Sequence, residues 1–503
     1  MIWIALLLVV LASVIAWTAW SRHRTNAAGI VTSGNARTSV IFGFLSRGLL
    51  RHLWLRLRMV FVNQQRKKEL AAQAHITSAQ EAAALMGNMK GLFMKVGQIV
   101  SFAHDGLPEQ ARAQLQGLQR DAPPMAFSLV RGVIEKDLGT DLSTHFRHVD
   151  EEPLAAASIG QVHRAKLRDG TDVVIKVQYP GVDAAIEGDL KMLERLGPAA
   201  AVVAAQVDFT SLAAELRSRI SEELDYRREG YHQELFRQLW DGHPFIKVPR
   251  VFAAATSKRV LTSEFVRGFG YYDFVREANA REKLIASAAI ADFVWDTMFC
   301  HLIYNGDPHP GNYLFHEDGS VTFIDFGCIK RFELTAMRNI KRFFLAILEG
   351  DRTTHDTYVG ILGLVKPDRA WDRDRMWGFW RYQLEPYFTP NFVFNEAYLA
   401  RAREMMKREN MKDMNLPPDL LFFTRITFGL NAIAQKLGAA GDFQKSVKRQ
   451  FYDGDGPSAL GLVGVTGIPH RFDILPIAQE PGYFARQIET SGTLPTWDTS
   501  ATP

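Results

Sequence analysis

The sequence predicts an α+β fold in two lobes, and three stretches carry that expectation. Residues 161–178, "QVHRAKLRDGTDVVIKVQ", alternate apolar and polar side chains about Asp169-Gly170, the pattern of a β-hairpin. Residues 320–327, "SVTFIDFG", are a short apolar strand stopped by a glycine. Beyond residue 332 aromatic and apolar residues recur at helical spacing, as in "WDRDRMWGFWRYQLEPYF" (371–388). Strands followed by a run of helices argue for segregated sheet and helix, hence α+β. A chain of 503 residues is long enough for two or three structural units.

The first twenty residues, "MIWIALLLVVLASVIAWTAW", carry no charge and are followed by "SRHR". Twenty helical residues span roughly the 30 Å hydrocarbon core of a bilayer. A cleaved secretory signal opens with positive charge, whereas here the positive charge follows and Trp17 and Trp20 sit at the interfacial position. The reading is an uncleaved anchor over 1–20, with the remaining chain on the cytoplasmic side. Residues 1–68 contain no Asp or Glu, and residues 22–68 hold ten Lys or Arg. Within this 21–68 juxtamembrane segment, "IFGFLSRGLLRHLWLRLRMVFVN" suits an amphipathic helix lying on an anionic leaflet; a core helix with solvated arginines is the plainer alternative. No nucleic-acid-binding signature accompanies the charge. Two cysteines, Cys300 and Cys328, exclude a disulfide framework or a thiolate zinc cluster and fit a reducing compartment.

From Glu69 the composition is ordinary. Residues 65–102 read as helix and 109–138 as two shorter helices, an N-terminal helical extension spanning 69–152. A strand pair over 160–178, a polar helix near 211–240 and short strands near 247–252 and 259–265 form a first lobe over 153–268. An apolar helix at about 283–304, turns and a strand within 308–325, and helices after 332 form a second lobe over 269–455. Residues 456–503, with several Pro and Gly, read as a loosely ordered tail. "PLAAASIGQVHRA" (153–165) is ambiguous, because its alanines favour helix while its position is a turn into the sheet.

The chemistry concentrates in "NGDPHPGNYLFHEDGSVTFIDFG" (305–327), where Asp307 precedes Asn312 by five residues and a strand leads to Asp325-Phe326-Gly327. Phosphoryl transfer asks for a carboxylate to orient the attacking oxygen and for oxygen ligands to a Mg²⁺ that bridges phosphates. Asp307, Asn312 and Asp325 supply that set in the order of a kinase catalytic loop and metal-binding DFG. Upstream, "DVVIKV" resembles the kinase strand lysine, with Lys176 in the lysine place. In "SEELDYRREGYHQELF", Glu222, Asp225 and Glu229 share a helix face, either as a solvated face or as partners for a lysine. "VLTSEFVRG" (260–268) is a strand ending in an extended link; in a kinase that is where backbone groups, here those of Glu264 and Val266, meet adenine. No Ala-Pro-Glu follows the DFG and no G-x-G-x-x-G precedes Lys176, which argues against a protein kinase.

Taken together, "PLAAASIGQVHRA", "VVIKVQYPGV", "EELDYRRE", "GDPHPGN", "FIDFG" and the K-x-G-Q of "MKVGQIVS" resemble the UbiB family of atypical kinase-like ATPases linked to isoprenoid quinone (ubiquinone) biosynthesis. The resemblance runs from about residue 90 to 330 and implies a bilobal protein-kinase-like fold with a K-x-G-Q helical extension and a mostly helical C-lobe. It implies ATP or ADP and Mg²⁺ as cofactors. It gives Asp307 the catalytic-loop role and makes Asn312 and Asp325 metal ligands. Lys176 is to touch phosphate and pair with Glu229. Lys95, beside Gln98, is to pair with Glu223 and Asp225, whereas by itself Lys95 reads as an ordinary helix lysine. Ala155, Ala156, Ala157 and Ser158 are to form the loop over the phosphates. Glycine there would take φ > 0 freely; alanine restrains the loop, a brake on phosphoryl transfer. Well-known bacterial members carry hydrophobic spans near the C-terminus, which this chain replaces with its N-terminal anchor.

The implied protein is a bacterial inner-membrane ATPase acting on lipid-soluble quinone precursors or on the enzymes that make them. Its partners are nucleotide and anionic lipid, without nucleic acid, and a homodimer is compatible with it. A small-molecule phosphotransferase of the aminoglycoside- or choline-kinase type shares Asp-x-His-x-x-Asn but lacks K-x-G-Q and the alanine loop. A nucleotide-dependent scaffold without essential turnover is the non-enzymatic alternative.

Overall fold

The computed structural model describes residues 125–157, 159–188, 190–191, 223–307, 309–365, 370–405, 414–415, 417–446 and 457–466, with Trp54 and Leu70. These fall into two compact units: the described residues up to Arg227 together with Ala254–Ser263, and the remainder. The anchor expected over 1–20, most of the basic segment and the K-x-G-Q residues lie outside the described residues.

In the first unit, α1 (Phe127–Leu138) and α2 (Leu142–His145) precede a five-stranded sheet. Its order is β1 (Phe146–Val149), β3 (Gly160–Leu167), β4 (Asp172–Gln178) and β6 (Val260–Glu264), with β2 (Ala155–Ala156) paired to β3. The β3–β4 hairpin forms as its sequence predicts: Gly170 takes φ 94° and Asp169 accepts from the Thr171 N–H at 2.9 Å. Strand parity buries Val173, Ile175 and Val177 on one face and leaves Lys176 half-buried on the other. Val130, Val133 and Ile134 of α1 are buried, and the helix packs on β4.

The alanine run is strand, not the helix start that its composition favours. Ala155 and Ala156 pair with Val162 and Gln161, and Ala157 exchanges backbone hydrogen bonds with Gly160, closing a tight hairpin. Ladder bonds decide here, because four residues cannot meet the nucleation cost of an isolated helix. A Cβ on Gly160 would lie 2.1 Å from the Val177 carbonyl oxygen, so only glycine allows this approach of β3 to β4. The rest of the motif is structural. Gln161 accepts from the Met125 N–H (2.8 Å) and bonds His163 (2.7 Å), whose other nitrogen bonds the Asp150 carbonyl (2.7 Å). Asp137 likewise fixes α1 to the entry of β6, accepting from Ser257 and from the side chain and backbone of Arg259. These bonds outweigh burial and hold its carboxyl below its ordinary range.

The second unit is mostly helical. After α3 (Tyr226–Leu239), which enters from the first unit, come β5 (Ile246–Lys247), α4 (Tyr271–Glu277) and α5 (Ala280–His301). There follow β7 (Ile303–Asn305), β8 (Tyr313–Phe315), β9 (Val321–Phe323) and β10 (Ile329–Arg331). Helices α6 (Leu334–Glu349), α7 (Arg352–Ile361) and α8 (Arg373–Gln383) lead to β11 (Phe392–Val393) and α9 (Glu396–Met405). The last elements are α10 (Pro418–Lys436), β12 (Ala440–Gly441) and the short α11 (Ala459–Leu462). A capping box at Asn279 and Glu282 starts α5. That helix is long and apolar enough to cross a membrane, but 83% of its most apolar window is buried inside the protein, which makes it the core helix of this unit.

The described residues differ from four of these expectations. The extension does not end at 152, because β1 is part of the sheet. Residues 228–253 belong with the second unit rather than with a lobe over 153–268. The Phe236 ring on α3 lies 5.3 Å from Phe293 and 5.2 Å from Phe326, which draws the helix into that core. Residues 457–466 are not loose: Leu460 is fully buried, and α11 packs on α5. The strand expected over 247–252 is confined to Ile246–Lys247, since Pro249 offers no N–H to a ladder.

Candidate active site

The candidate site in the second unit is built by a sharp exit from α5. Leu302 closes that helix in the left-handed region (φ 57°), an uncommon conformation for leucine, and turns the chain directly into β7. Antiparallel pairing sets Asn305 opposite Ile329, and the Gly306 N–H donates to the Cys328 carbonyl at 2.7 Å. The loop after β7 is therefore fixed beside the segment after Asp325-Phe326-Gly327.

One buried residue, Asn305, serves both loops. Its Oδ1 accepts from the Asp307 N–H (3.2 Å) and its Nδ2 donates to the Asp325 carbonyl (2.6 Å). Asn312 Nδ2 donates to the Asp307 carbonyl (3.1 Å), and the Ile324 N–H donates to the Asn312 carbonyl (3.0 Å). His309 shapes the turn between them, its Nδ1 accepting from the Gly311 N–H at 3.0 Å and its carbonyl from Asn312 at 2.9 Å. Asp325 Oδ1 accepts from the Gly327 N–H at 3.0 Å. Asp307, Asn312 and Asp325 are thus gathered by one hydrogen-bonded frame and remain half-buried. Asn305 and His309 lie inside the quoted motif, yet the motif gave them no role; their part becomes visible only when backbone partners are known.

The donor set fits a hard divalent cation. With Nδ2 of Asn312 committed to a carbonyl, its oxygen is the atom left for a metal, and Asp325 adds a carboxylate. Among the described residues no three His, Cys, Asp or Glu side chains converge on a metal position. Two protein oxygens with the balance from phosphate is how Mg²⁺ is usually held at nucleotide sites. Burial, followed by the Asp307 charge, pushes the Tyr313 hydroxyl above its ordinary range, so that ring stays neutral beside the loop.

Helix α3 brings two more groups. Glu229 is 4% exposed, and its Oε2 lies 3.7 Å from where a Cβ on Gly327 would sit. His232, three residues along, hydrogen-bonds the Phe326 backbone; burial above all, with the Arg331 and Arg228 charges, lowers its pKa to about 3. Because an unfolded histidine titrates near 6.5, the unfolded chain binds the extra proton and stability falls as pH drops below that value. His232→Ala is therefore expected to lower the melting temperature at pH 7.5, with the gap to wild type narrowing by pH 5. Melting curves across that range check it, and a constant gap defeats the assignment.

The remaining sequence-derived residues are distributed as follows. In the first unit Lys176 Nζ stands 5.1 Å above the Tyr226 ring. Ala155 and Ala156 are exposed on β2, and Ala157 closes the hairpin. Glu223 is half-buried, while Asp225 forms a close two-point ion pair with Arg227 (2.9 and 2.6 Å). In the second unit Glu264 is exposed and exchanges backbone and carboxylate bonds with Arg250, and Val266 lies in the extended link. Lys95, Gln98 and Ser158 lie outside the described residues.

Comparison with known proteins gives a family match. Residues 117–358 match the ABC1 atypical kinase-like domain. AarF domain-containing protein kinase 1 of Xenopus laevis is 32% identical over 266 residues, 52% of this chain and 51% of that protein. Protein ACTIVITY OF BC1 COMPLEX KINASE 8, chloroplastic, of Arabidopsis thaliana is 29% identical over 344 residues, 66% of this chain and 44% of that protein. The chain thus spans about half the length of these curated relatives. Among solved structures, the Rv3197–erythromycin complex from Mycobacterium tuberculosis matches with a TM-score of 0.56 and 27% identity, over 76% of this chain and 98% of that one.

Proposed function

We propose, for a chain that belongs to the UbiB family of ABC1 atypical kinase-like proteins, that it is a membrane-anchored, Mg²⁺-dependent ATPase. The observation that carries the reading is the Asn305 frame, which gathers Asp307, Asn312 and Asp325 within one loop pair.

Asp307 is the carboxylate that orients the attacking oxygen and takes its proton, its main chain pinned on both sides by Asn305 and Asn312. Asn312 and Asp325 hold the cation, which when bound neutralises charge on the phosphate oxygens. Lys176 is a phosphate-binding cation, placed by strand parity away from the buried face of its sheet. Glu229 and His232 are positioning residues for the Asp325-Phe326-Gly327 turn. Glu264 and Val266 flank the backbone assigned to the adenine edge, and Lys95, Gln98, Glu223 and Asp225 form the family's K-x-G-Q and E-x-D pair.

The acid-free, basic stretch before residue 69 supports attachment at an anionic leaflet, with 1–20 as the span and the ATPase on the cytoplasmic side of a bacterial inner membrane. The resemblance extends the reading to isoprenoid quinone precursors, or the enzymes that make them, as the targets, with phosphate passing to water rather than to protein.

The test is phosphate release by the purified full chain with MgATP, with and without anionic liposomes. Hydrolysis that depends on Mg²⁺ and rises with anionic liposomes is expected; turnover unchanged by Asp307→Asn would falsify the assignment. A second expected outcome concerns the alanine hairpin. Ala156 is exposed and paired only through its backbone, so Ala156→Gly frees φ for about 0.5–1 kcal/mol of strand stability. Tighter ATP binding or autophosphorylation should follow, and unchanged values for both would remove the brake from the account.

A further inference from the structure

Helix α6 carries an exposed cationic face that the proposed chemistry does not use. Between Leu334 and Leu348 it has no acid, while Arg338, Lys341 and Arg342 lie within that stretch. At about 100° per residue the three cations share one arc of the helix with Leu334. The opposite side buries Met337, Ile340, Phe343 and Ile347, which turns the arc toward solvent. Arg338 and Arg342 are exposed, and among the described residues no carboxylate pairs with either. The arginines that open α7 and α8 differ, since Arg352 bonds Asp374 (2.7 Å) and Arg373 bonds Asp356 (2.9 Å).

Two large apolar side chains flank the cations. Leu334 is 45% exposed at the start of α6, and Ile361 is 55% exposed at the end of α7. Gly350 and Asp351 join the two helices, and Phe343 stacks on His355 at 5.2 Å. That register returns Ile361 to the level of Met337, beside the first turns of α6. Unpaired arginines with exposed leucine and isoleucine at their edge match a headgroup layer, which takes charge and apolar surface together. A nucleic-acid backbone would take the charge and leave both apolar side chains in water.

We propose that this face of α6 is a membrane contact that lies on the headgroups of an anionic leaflet. This contact rests on the proposed membrane anchoring and adds the place where the catalytic unit meets the bilayer. Ile329 pairs with Asn305, and the chain from Ile329 to Leu334 spans at most about 18 Å. Docking of α6 therefore holds the Asn305 frame close to the headgroups, where a lipid-soluble precursor arrives.

The test places an environment-sensitive fluorophore on Leu334→Cys in the full chain, with Cys328→Ser so that the one native cysteine left is the buried Cys300. The chain is reconstituted in phosphatidylcholine vesicles with and without phosphatidylglycerol. A blue shift of the label is expected in the anionic vesicles only, and it should vanish in high salt, where the screening length falls to about 3 Å. Each arginine near an anionic surface is worth about fivefold in association. Arg338→Gln with Arg342→Gln should therefore weaken the docking about 25-fold and return the label to water, without changing the melting temperature of these exposed sites. The same label on Asp374→Cys, beside the start of α7, should stay in water throughout. Flotation with the neutral vesicles reads the N-terminal anchor separately, so the loss of the anchor and the loss of the α6 contact are distinct results. No shift at Leu334 in anionic vesicles, a shift that survives the double substitution, or an equal shift at Asp374 overturns the proposal. A shift produced by a soluble polyanion and not by vesicles overturns it too, and assigns the face to nucleic acid or an acidic protein.

Discussion

Asp325→Asn is expected to reduce Mg²⁺-dependent ATP hydrolysis by about a hundredfold or more, the scale found when preorganised charge stabilisation is removed from a phosphoryl-transfer site. The substitution is nearly isosteric, and an amide oxygen can still accept from the Gly327 N–H as Oδ1 does now at 3.0 Å. The Asp325 carbonyl, which receives Asn305 Nδ2, is untouched. The fold should therefore survive, and the loss should register as a requirement for much higher Mg²⁺. Asp307→Asn makes a different prediction at the same site, because Asp307 is assigned to the attacking oxygen and not to the metal. It should lower turnover by about 10²–10⁴-fold while leaving nucleotide and Mg²⁺ affinity near wild type. Measuring kcat against Mg²⁺ concentration for both variants separates the roles. If the two profiles coincide, the division of labour is wrong even where both variants are inactive.

Much of this site was legible because its chemistry is local in sequence. Asp307, Asn312 and Asp325 lie within one short stretch, and the frame that joins them spans β7 to the turn after β9. Asn305 escaped notice because its part is played against backbone atoms, which residue type and spacing do not report. His232 was hidden for another reason: it sits on α3 and meets Phe326 through tertiary packing, and a histidine on a polar helix reads as solvated. The alanine run misled in the opposite way. Intrinsic propensity favoured helix, yet pairing with Val162 and Gln161 settled strand, as local preference yields to ladder bonds. The moved boundaries have a common cause. Composition marks where loops lie, but it does not report that Phe236 packs beside Phe293 or that β1 joins the sheet of β3.

Asp292→Ala is expected to be among the most destabilising single substitutions in the second unit, by about 2–5 kcal/mol, the scale for leaving two buried N–H donors unpaired. Asp292 is 1% exposed in the middle of α5, and its oxygens accept from the Ala459 N–H (2.6 Å) and the Leu460 N–H (2.9 Å). Both donors open α11 and are buried with it, so no solvent replaces the carboxylate when it is lost. Glycine and proline near residue 456 read as a tail in the sequence, while a single aspartate 167 positions upstream of Ala459 makes that segment part of the core. Asp292→Asn keeps one acceptor oxygen and should fall between alanine and wild type. Leu460→Ala, which removes apolar burial but leaves the carboxylate bonds, should cost about 2–5 kcal/mol. Denaturant melts measure the losses, and limited proteolysis shows whether 457–466 is released first. Were Asp292→Ala to melt like wild type while the segment became protease-sensitive, α11 would be a detachable cover on α5 rather than part of the cooperative unit. A matched fall in both readings ties the docking of α11 to the stability of the helical unit as a whole.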